Sequence, residues 1–116
     1  MLSKERRLTS DWDFKMVRQR GKKIKTPLFD LYYLSKKGNV SSRFGFVIST
    51  KLDKRAVKRN RIKRILREEV RSIFSKIKHG FDFVFLVKRE ALEAEPDRVR
   101  KILREALKER ELLAND

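Results

Sequence analysis

Residues 55–67 read RAVKRNRIKRILR, and this stretch decides the fold because its charged and apolar residues separate on a helix. At about 100° per residue, a helix through it gathers one apolar stripe. The stripe consists of Ile62, Leu66, Val70, Ile73 and Ile77, with Ile65 at its margin. The opposite side gathers Asn60, Arg64, Arg67 and Arg71. Such a helix is held by its apolar face and presents a rigid row of cations, and the planar fork of arginine suits phosphate oxygens.

The segments on either side of this helix have the patterns of strands. Residues 43–50 contain the run FGFVIS, and residues 81–87 are almost continuously apolar, which is typical of an interior strand. Asp53 is placed to cap the helix, which we expect to extend to about Ile77 and to end before Gly80. The resulting strand–helix–strand unit predicts a parallel pair of strands within a mixed sheet.

The outer segments complete the predicted domain. Ser10 is a predicted cap for a short helix that Gly21 ends, and residues 28–34 have a strand pattern followed by a turn at 36–39. Pro96 suits the first position of a last amphipathic helix. We expect one α/β (α+β) domain over residues 1–116. Its mixed sheet of about four strands is packed with three helices, in the order α-β-β-α-β-α.

The composition points to a polyanionic partner. The 116 residues carry a formal charge of +16, and residues 1–89 hold 26 basic against 8 acidic side chains. Glu68 and Glu69 are the only acids between Lys54 and Lys76, whereas a simply solvated helix face usually mixes charges of both signs. Nucleic acid is therefore the favoured partner, and a solvated face is the alternative. With no cysteine and no long apolar run, we expect no disulfide, no membrane partner and a cytoplasmic location.

The sequence contains little that could catalyse a reaction. His79 is the only histidine and lies at a predicted helix end, the acids are scattered, and the four glycines form no phosphate-binding loop. We therefore expect no catalytic residue, no metal site, no bound cofactor and no small-molecule substrate. Tyr32 is of more interest, because alternation along its strand places it beside Asp30 and away from the core. Two interpretations stay open: Tyr32 stacks on an unpaired base, or it supports the first helix through Phe14.

Several segments together resemble the bacterial ribonuclease P protein subunit. The main signal is Arg59-Asn60-Arg61-Ile62-Lys63-Arg64, preceded by Ala56-Val57 and followed by Leu66-Arg67-Glu68. The first helix, the strands and the run from Phe81 to Val87 followed by Lys88-Arg89 are also similar to that family, so the resemblance covers nearly the whole chain. It implies a protein that binds a catalytic RNA and the 5′ leader of precursor tRNA. That RNA, which requires Mg²⁺, removes the leader. The resemblance also implies a left-handed β-α-β crossover, an exception to the usual right-handed rule.

The resemblance further implies two sets of binding residues. Contacts to the RNA subunit are expected from Arg55, Lys58, Arg59, Asn60, Arg61, Lys63, Arg64, Arg67 and Arg71. The leader cleft is expected to involve Phe14, Arg18, Tyr32, Lys51, Lys88 and Arg89. Arg18 departs from those family members that have an aromatic residue at this position. A guanidinium can stack on a base or hold a phosphate.

Two other functions fit the same composition. A ribosomal or ribosome-assembly protein would share the charge and length, and only the Arg-Asn-Arg block in its context disfavours that interpretation. An interaction module could use the basic amphipathic helix on an acidic protein or an anionic membrane. Against this, the apolar face of the helix is needed to cover the sheet.

Overall fold

The computed structural model describes residues 2–36, 38, 40–52 and 55–114. Within them, seven helices and strands follow one another along the chain. They are α1 (Asp11–Arg20), β1 (Lys22–Lys25), β2 (Phe29–Ser35), β3 (Arg43–Val47), α2 (Ala56–Ile73), β4 (Phe81–Val87) and α3 (Pro96–Glu109). Short 3-10 turns occupy Lys4–Arg6, Phe74–Lys76 and Arg89–Glu93.

The four strands form one mixed sheet in the order β1-β2-β4-β3. Strand β4 is therefore interior, as its continuous apolar run predicts, and it pairs antiparallel with β2 and parallel with β3. Helix α2 connects the parallel pair, which confirms the predicted strand–helix–strand unit. The left-handed sense of this crossover stays a prediction of the family resemblance.

The two faces of the sheet carry cores of unequal size. The larger core lies against α2 and α3 and includes Phe44, Phe83 and Phe85, whose rings stack or meet edge-on with their neighbours. The predicted apolar stripe of α2 is buried there, as are Ile65 and Ile77. The smaller core, under α1, is built around Leu8, Val17 and Val84. Residues that alternate along each strand therefore reach two separate cores.

The bounds of several elements differ from those predicted. Strand β3 ends at Val47 rather than Thr50, because the chain turns at once, with the Leu52 amide donating to the Ser49 carbonyl at 3.1 Å. Helix α2 ends at Ile73, and the tighter turn that follows brings Ile77 into a bridge with Leu113. The predicted cap Asp53 lies outside the described residues, and so does part of the turn at 36–39.

Strand β1 is the element that the predicted order did not place. Its sequence, KKIK, has one apolar residue, Ile24, which is buried. The strand exists because it pairs antiparallel with β2, and the Thr26 hydroxyl closes the connection by accepting from the amides of Leu28 and Phe29. Ser10 caps α1 as predicted, accepting from the Trp12 amide at 3.2 Å.

Candidate nucleic-acid interface

The outward face of α2 is a row of cations on a firmly packed helix. Asn60, Arg64 and Arg71 are exposed and Arg67 is half-buried, so the four residues predicted to share the outer face do so. We call this set the α2 comb. Because its members are spaced by four, three and four residues, they are neighbours along one side of the helix. Rigid, regularly spaced guanidinium groups suit the phosphates of a structured nucleic acid.

The other basic residues of the predicted RNA-subunit set have different surroundings. Lys58 forms an ion pair with Glu93, and Arg61 donates to the carbonyl oxygens of Leu92 and Ala94 at 3.3 and 2.9 Å. These contacts fasten the first turns of α2 to the 3-10 turn after β4. Of the remaining three, Arg55 is exposed, and Arg59 and Lys63 are half-buried.

One acid of α2 points inward. Glu69 is only 4% exposed and pairs with Arg104 of α3, while its neighbour Glu68 is exposed. The pair joins α2 to α3 on the side away from the comb. As a result, Glu69 does not neutralise the row of arginines.

A second concave surface lies between α1 and β2. Phe14, Arg18 and Tyr32 line a hollow of about 430 Å³ together with Asp11, Lys15 and Gln19. We call it the α1 cleft. Tyr32 is half-buried against the smaller core and also lines the hollow, so it supports α1 and contributes to the open surface. The contact with α1 is observed, and stacking of Tyr32 on an unpaired base stays a prediction.

Gly45 makes the position of Phe14 possible. A Cβ atom at Gly45 would lie 2.3 Å from the Phe14 ring and 3.2 Å from Leu8. At 2.3 Å the Phe14 ring would have to move, so its present position depends on the absence of a side chain at this point of β3. The wall of the α1 cleft therefore depends on Gly45 in β3.

An ion network fixes the same helix to the sheet. Arg43 donates two hydrogen bonds to Asp82, at 3.0 and 2.8 Å, and lies 3.4 Å from Asp13 of α1. Lys36 lies 3.6 Å from the same Asp82 carboxylate, which is almost fully buried. The hydrogen bonds to Asp82, followed by the nearby carboxylate charges, raise the pKa of Arg43 above its ordinary value. The raised pKa shows that these carboxylates stabilise the charged form of the guanidinium.

The remaining predicted cleft residues lie outside the hollow itself. Lys88 donates to the Thr26 carbonyl at 2.7 Å and lies 3.2 Å from Asp30, and Arg89 donates to the Leu52 carbonyl at 2.8 Å. Lys51 is exposed in the turn after β3. Asp30 is on the Tyr32 face, as predicted, but it is 9% exposed because lysines cover it.

Lys23 is a neighbour of Tyr32 that the sequence interpretation missed. Its ammonium lies 5.7 Å from the centre of the Tyr32 ring and 3.5 Å from Asp30. It faces Tyr32 because the two residues are direct partners in the β1–β2 pair. Pro27, between the segments that form β1 and β2, was the sequence signal for a hairpin. Recognising this hairpin would have paired Lys23 with Tyr32.

The described residues contain no group of three or more histidine, cysteine, aspartate or glutamate side chains placed to hold a metal ion. Of the acids near the α1 cleft, Asp13, Asp30 and Asp82 each face at least one cation, and Asp11 is exposed and is the single acid among the described residues that line the hollow. This donor set does not suit Mg²⁺, which prefers free carboxylates in octahedral geometry. In the described part of the chain, no helix is long and apolar enough to span a membrane.

Comparison with known proteins identifies the family. The family model "Ribonuclease P" matches residues 2–111. The chain belongs to this family. A ribonuclease P protein component from Bacillus cereus (strain AH187) is 33% identical over 92 residues, which is 79% of each chain.

Solved structures agree with this assignment. The Staphylococcus aureus RNase P protein aligns with a TM-score of 0.86 and 26% identity, over 95% of this chain and 99% of that one. The Thermotoga maritima RNase P protein aligns with a TM-score of 0.79 and 28% identity, over 89% and 96%. The predicted family and the predicted α+β fold are both confirmed. The likeness also disfavours the two other functions considered from composition.

Proposed function

We propose that this chain is the protein subunit of a cytoplasmic ribonuclease P. It binds the catalytic RNA through the α2 comb, and it binds the single-stranded 5′ leader of precursor tRNA in the α1 cleft. The observation that carries the proposal is the match of the ribonuclease P family model to residues 2–111. The outward position of the comb on α2 agrees with it. Family membership indicates the RNA partner. The two surfaces differ in chemistry, because the comb is a row of cations and the α1 cleft contains two aromatic rings.

The comb suits the folded RNA subunit. Arg64 and Arg71 project from a helix whose opposite side is buried, so binding costs no rearrangement of the fold. Their contacts with phosphates release counterions, so binding of the RNA subunit becomes strongly dependent on salt. Lys58 and Arg61 act indirectly, because their contacts with Glu93 and with two carbonyl oxygens set the position of the first turns of α2.

The α1 cleft suits unpaired bases. Phe14 and Tyr32 contribute aromatic rings to its lining, and Arg18 and Lys15 contribute positive charge beside them. Stacking on aromatic rings tolerates any base, which a leader of variable sequence requires. Lys23 and Lys88 share the Asp30 carboxylate and leave a net positive charge on the Tyr32 side of the sheet.

The chemistry of cleavage is assigned to the RNA. Mg²⁺ supplies the charge stabilisation of that reaction. We place it on the RNA because Asp13, Asp30 and Asp82 face cations, and Asp11 is the single acid among the described residues that line the cleft. The protein contributes by holding the leader and the RNA subunit in one arrangement. Its effect is therefore expected on substrate affinity and on the magnesium requirement.

Reconstitution tests the proposal. The protein is added to a bacterial ribonuclease P RNA at low magnesium, and cleavage of precursor tRNA is measured. We expect no cleavage by the protein alone and strong stimulation with the RNA. The control variant, Lys101→Ala with Lys108→Ala, removes two positive charges from exposed positions of α3, away from both proposed binding surfaces. It should stimulate cleavage as well as the unaltered protein. Magnesium-dependent cleavage by RNA-free protein, lost on a point substitution within it, would overturn the assignment.

A further inference from the structure

A second basic concavity lies on the other face of the β1–β2 hairpin. It has a volume of about 420 Å³, and its lining includes Arg20, Lys22, Tyr33, Lys78, Phe81 and Arg110. We call it the Tyr33 pocket. Four of these residues are cations, and none of the described residues that line it is acidic. No predicted binding residue lies in it.

The cations of this pocket are not neutralised by neighbouring carboxylates. Within the described chain, Arg20, Lys22, Lys78 and Arg110 form no ion pair, whereas Lys23 and Lys88 share Asp30 on the opposite face. Asp11 also accompanies Lys15 and Arg18 in the α1 cleft. The Tyr33 pocket is thus the more positive of the two concavities, and such a site attracts an anion.

Two features order the pocket before any ligand arrives. Arg110 donates to the Tyr33 hydroxyl at 3.2 Å and to the Lys23 carbonyl at 3.5 Å, which leaves other guanidinium donors free to face the opening. The rings of Tyr33 and Phe81 lie 6.0 Å apart, centre to centre, and Phe81 is only half-buried. A cationic rim around an aromatic floor suits a nucleotide, because phosphate meets the rim and the base meets the ring.

Strand alternation relates this pocket to the α1 cleft. Tyr32 lines the cleft and its partner Lys23 lies beside the Tyr32 ring, while the adjacent Tyr33 and its partner Lys22 line the pocket. The last turn of α1 borders both surfaces, with Arg18 on one and Arg20 on the other. Gly21 keeps this border narrow, because a Cβ there would lie 2.4 Å from the Val17 carbonyl oxygen and 2.6 Å from that of Tyr33.

We infer that the Tyr33 pocket binds a phosphate and base of single-stranded RNA that continues from the α1 cleft past the end of α1. The inference rests on the proposed function, since it takes the cleft as the place where the leader enters. It adds a second site, so a leader long enough to pass Gly21 gains contacts that a shorter leader lacks. Charge complementarity and the shared border select RNA over a free anion.

The decisive variant is Lys22→Gln with Lys78→Gln. Both side chains are exposed and form no ion pair among the described residues, so the fold is expected to remain intact. Lys101→Gln with Lys108→Gln removes the same charge from exposed positions of α3 and serves as the control. The affinity of each reconstituted holoenzyme is measured for precursor tRNAs with a leader confined to the cleft and with a longer one.

We expect the Lys22/Lys78 variant to lose roughly threefold or more in affinity for the long leader only, and its salt-dependence slope to fall by about 0.7 for each lost contact. An equal loss for both leaders, or no loss for either, would overturn the inference while leaving the proposed function standing. If the unaltered holoenzyme does not distinguish precursor from mature tRNA, the proposed function itself fails.

A direct titration separates RNA from simple anions. Backbone amide resonances of Gly21 and Lys22 are followed as inorganic phosphate, uridine 5′-monophosphate or an oligouridylate of about 10 nucleotides is added to the protein. We expect the oligonucleotide to shift these resonances at concentrations where inorganic phosphate does not. Shifts of equal size and midpoint with inorganic phosphate would reduce the pocket to an anion site and overturn the assignment to RNA.

Discussion

Helices α1 and α2 cover opposite faces of the same sheet, and they are held there by different means. Helix α2 buries Ile62, Leu66 and Val70 completely, so its attachment is an apolar stripe that stands apart from the comb. Helix α1 fully buries only Val17 and depends on the Arg43 ion network and on the Phe14 ring above Gly45.

On α2, the residues that stabilise the fold differ from those proposed to bind RNA, whereas on α1 the two sets overlap. On α2, a comb residue can be removed without disturbing the core, because the two sets of side chains point in opposite directions. On α1, Phe14 is both a packing residue and a cleft residue. A substitution on α1 is therefore expected to change stability and leader binding together.

The largest effect is expected from Asp82→Ala, which removes the carboxylate that anchors Arg43 and Lys36. Loss of one partner from a buried ion pair is costly, and since Arg43 is partly exposed we expect a fall of about 3 kcal/mol in the free energy of unfolding. Urea denaturation measures it. Asp97→Ala, at an exposed i,i+3 pair with Arg100, should cost less than about 1 kcal/mol. Equal costs for the two variants would mean that the network does not anchor α1.

Substitutions in the comb should change RNA binding and leave the free energy of unfolding almost unchanged. Arg64→Ala combined with Arg67→Ala is expected to weaken binding to the RNA subunit by about 2–3 kcal/mol, and to lower the salt-dependence slope by about one for each lost phosphate contact. The free energy of unfolding should stay within about 0.5 kcal/mol of the original value. Filter binding across a salt series measures the first effect, and urea denaturation measures the second. Unchanged affinity with an unchanged slope would remove this face from the RNA interface.

The sequence predicted α2 and β4 well because each has a pattern that a single segment carries. The period of the stripe places Ile62 to Ile73, and the continuous apolar run of β4 predicts both its bounds and its interior position. Strand β1 has no such pattern, since three of its four residues are lysines. Its existence depends on pairing with β2, which is a property of two segments together.

The candidate surfaces were also predictable to different degrees, because some depend on a pattern within one segment and others on contacts between segments. Arg64 and Arg71 follow from helical period, but the contacts of Lys58 and Arg61 with the 3-10 turn after β4 depend on where α2 lies in the fold. The Arg43–Asp82 pair depends on the register of two parallel strands. The Tyr33 pocket joins residues from four separated segments (20–22, 33–35, 78–81 and 110–112), so no local pattern indicates it.

Removal of an aromatic ring from the α1 cleft tests the coupling of folding and binding. Phe14→Ala and Tyr32→Ala should each weaken precursor tRNA binding by about 1–2 kcal/mol, because one stacked base is lost from rings that are already half-buried. Binding of mature tRNA, which has no leader, should not change. Phe14→Ala should also lower the free energy of unfolding, unlike the comb variant. Equal effects on both tRNAs with the fold intact would place the leader on another surface.

The smallest change in affinity is expected at Arg18, the cleft position where the family resemblance implies an aromatic residue in some members. Because Arg18 lines the same hollow as Phe14 and Tyr32, we expect its guanidinium plane to stack on a leader base. Arg18→Phe should then keep the affinity for precursor tRNA within about 0.5 kcal/mol, while the salt-dependence slope falls by about 0.7. Arg18→Ala, which removes both charge and plane, should lose affinity and slope together. If Arg18→Phe loses as much affinity as Arg18→Ala, the guanidinium holds a phosphate, and the cleft resembles the comb more closely than its aromatic residues indicate.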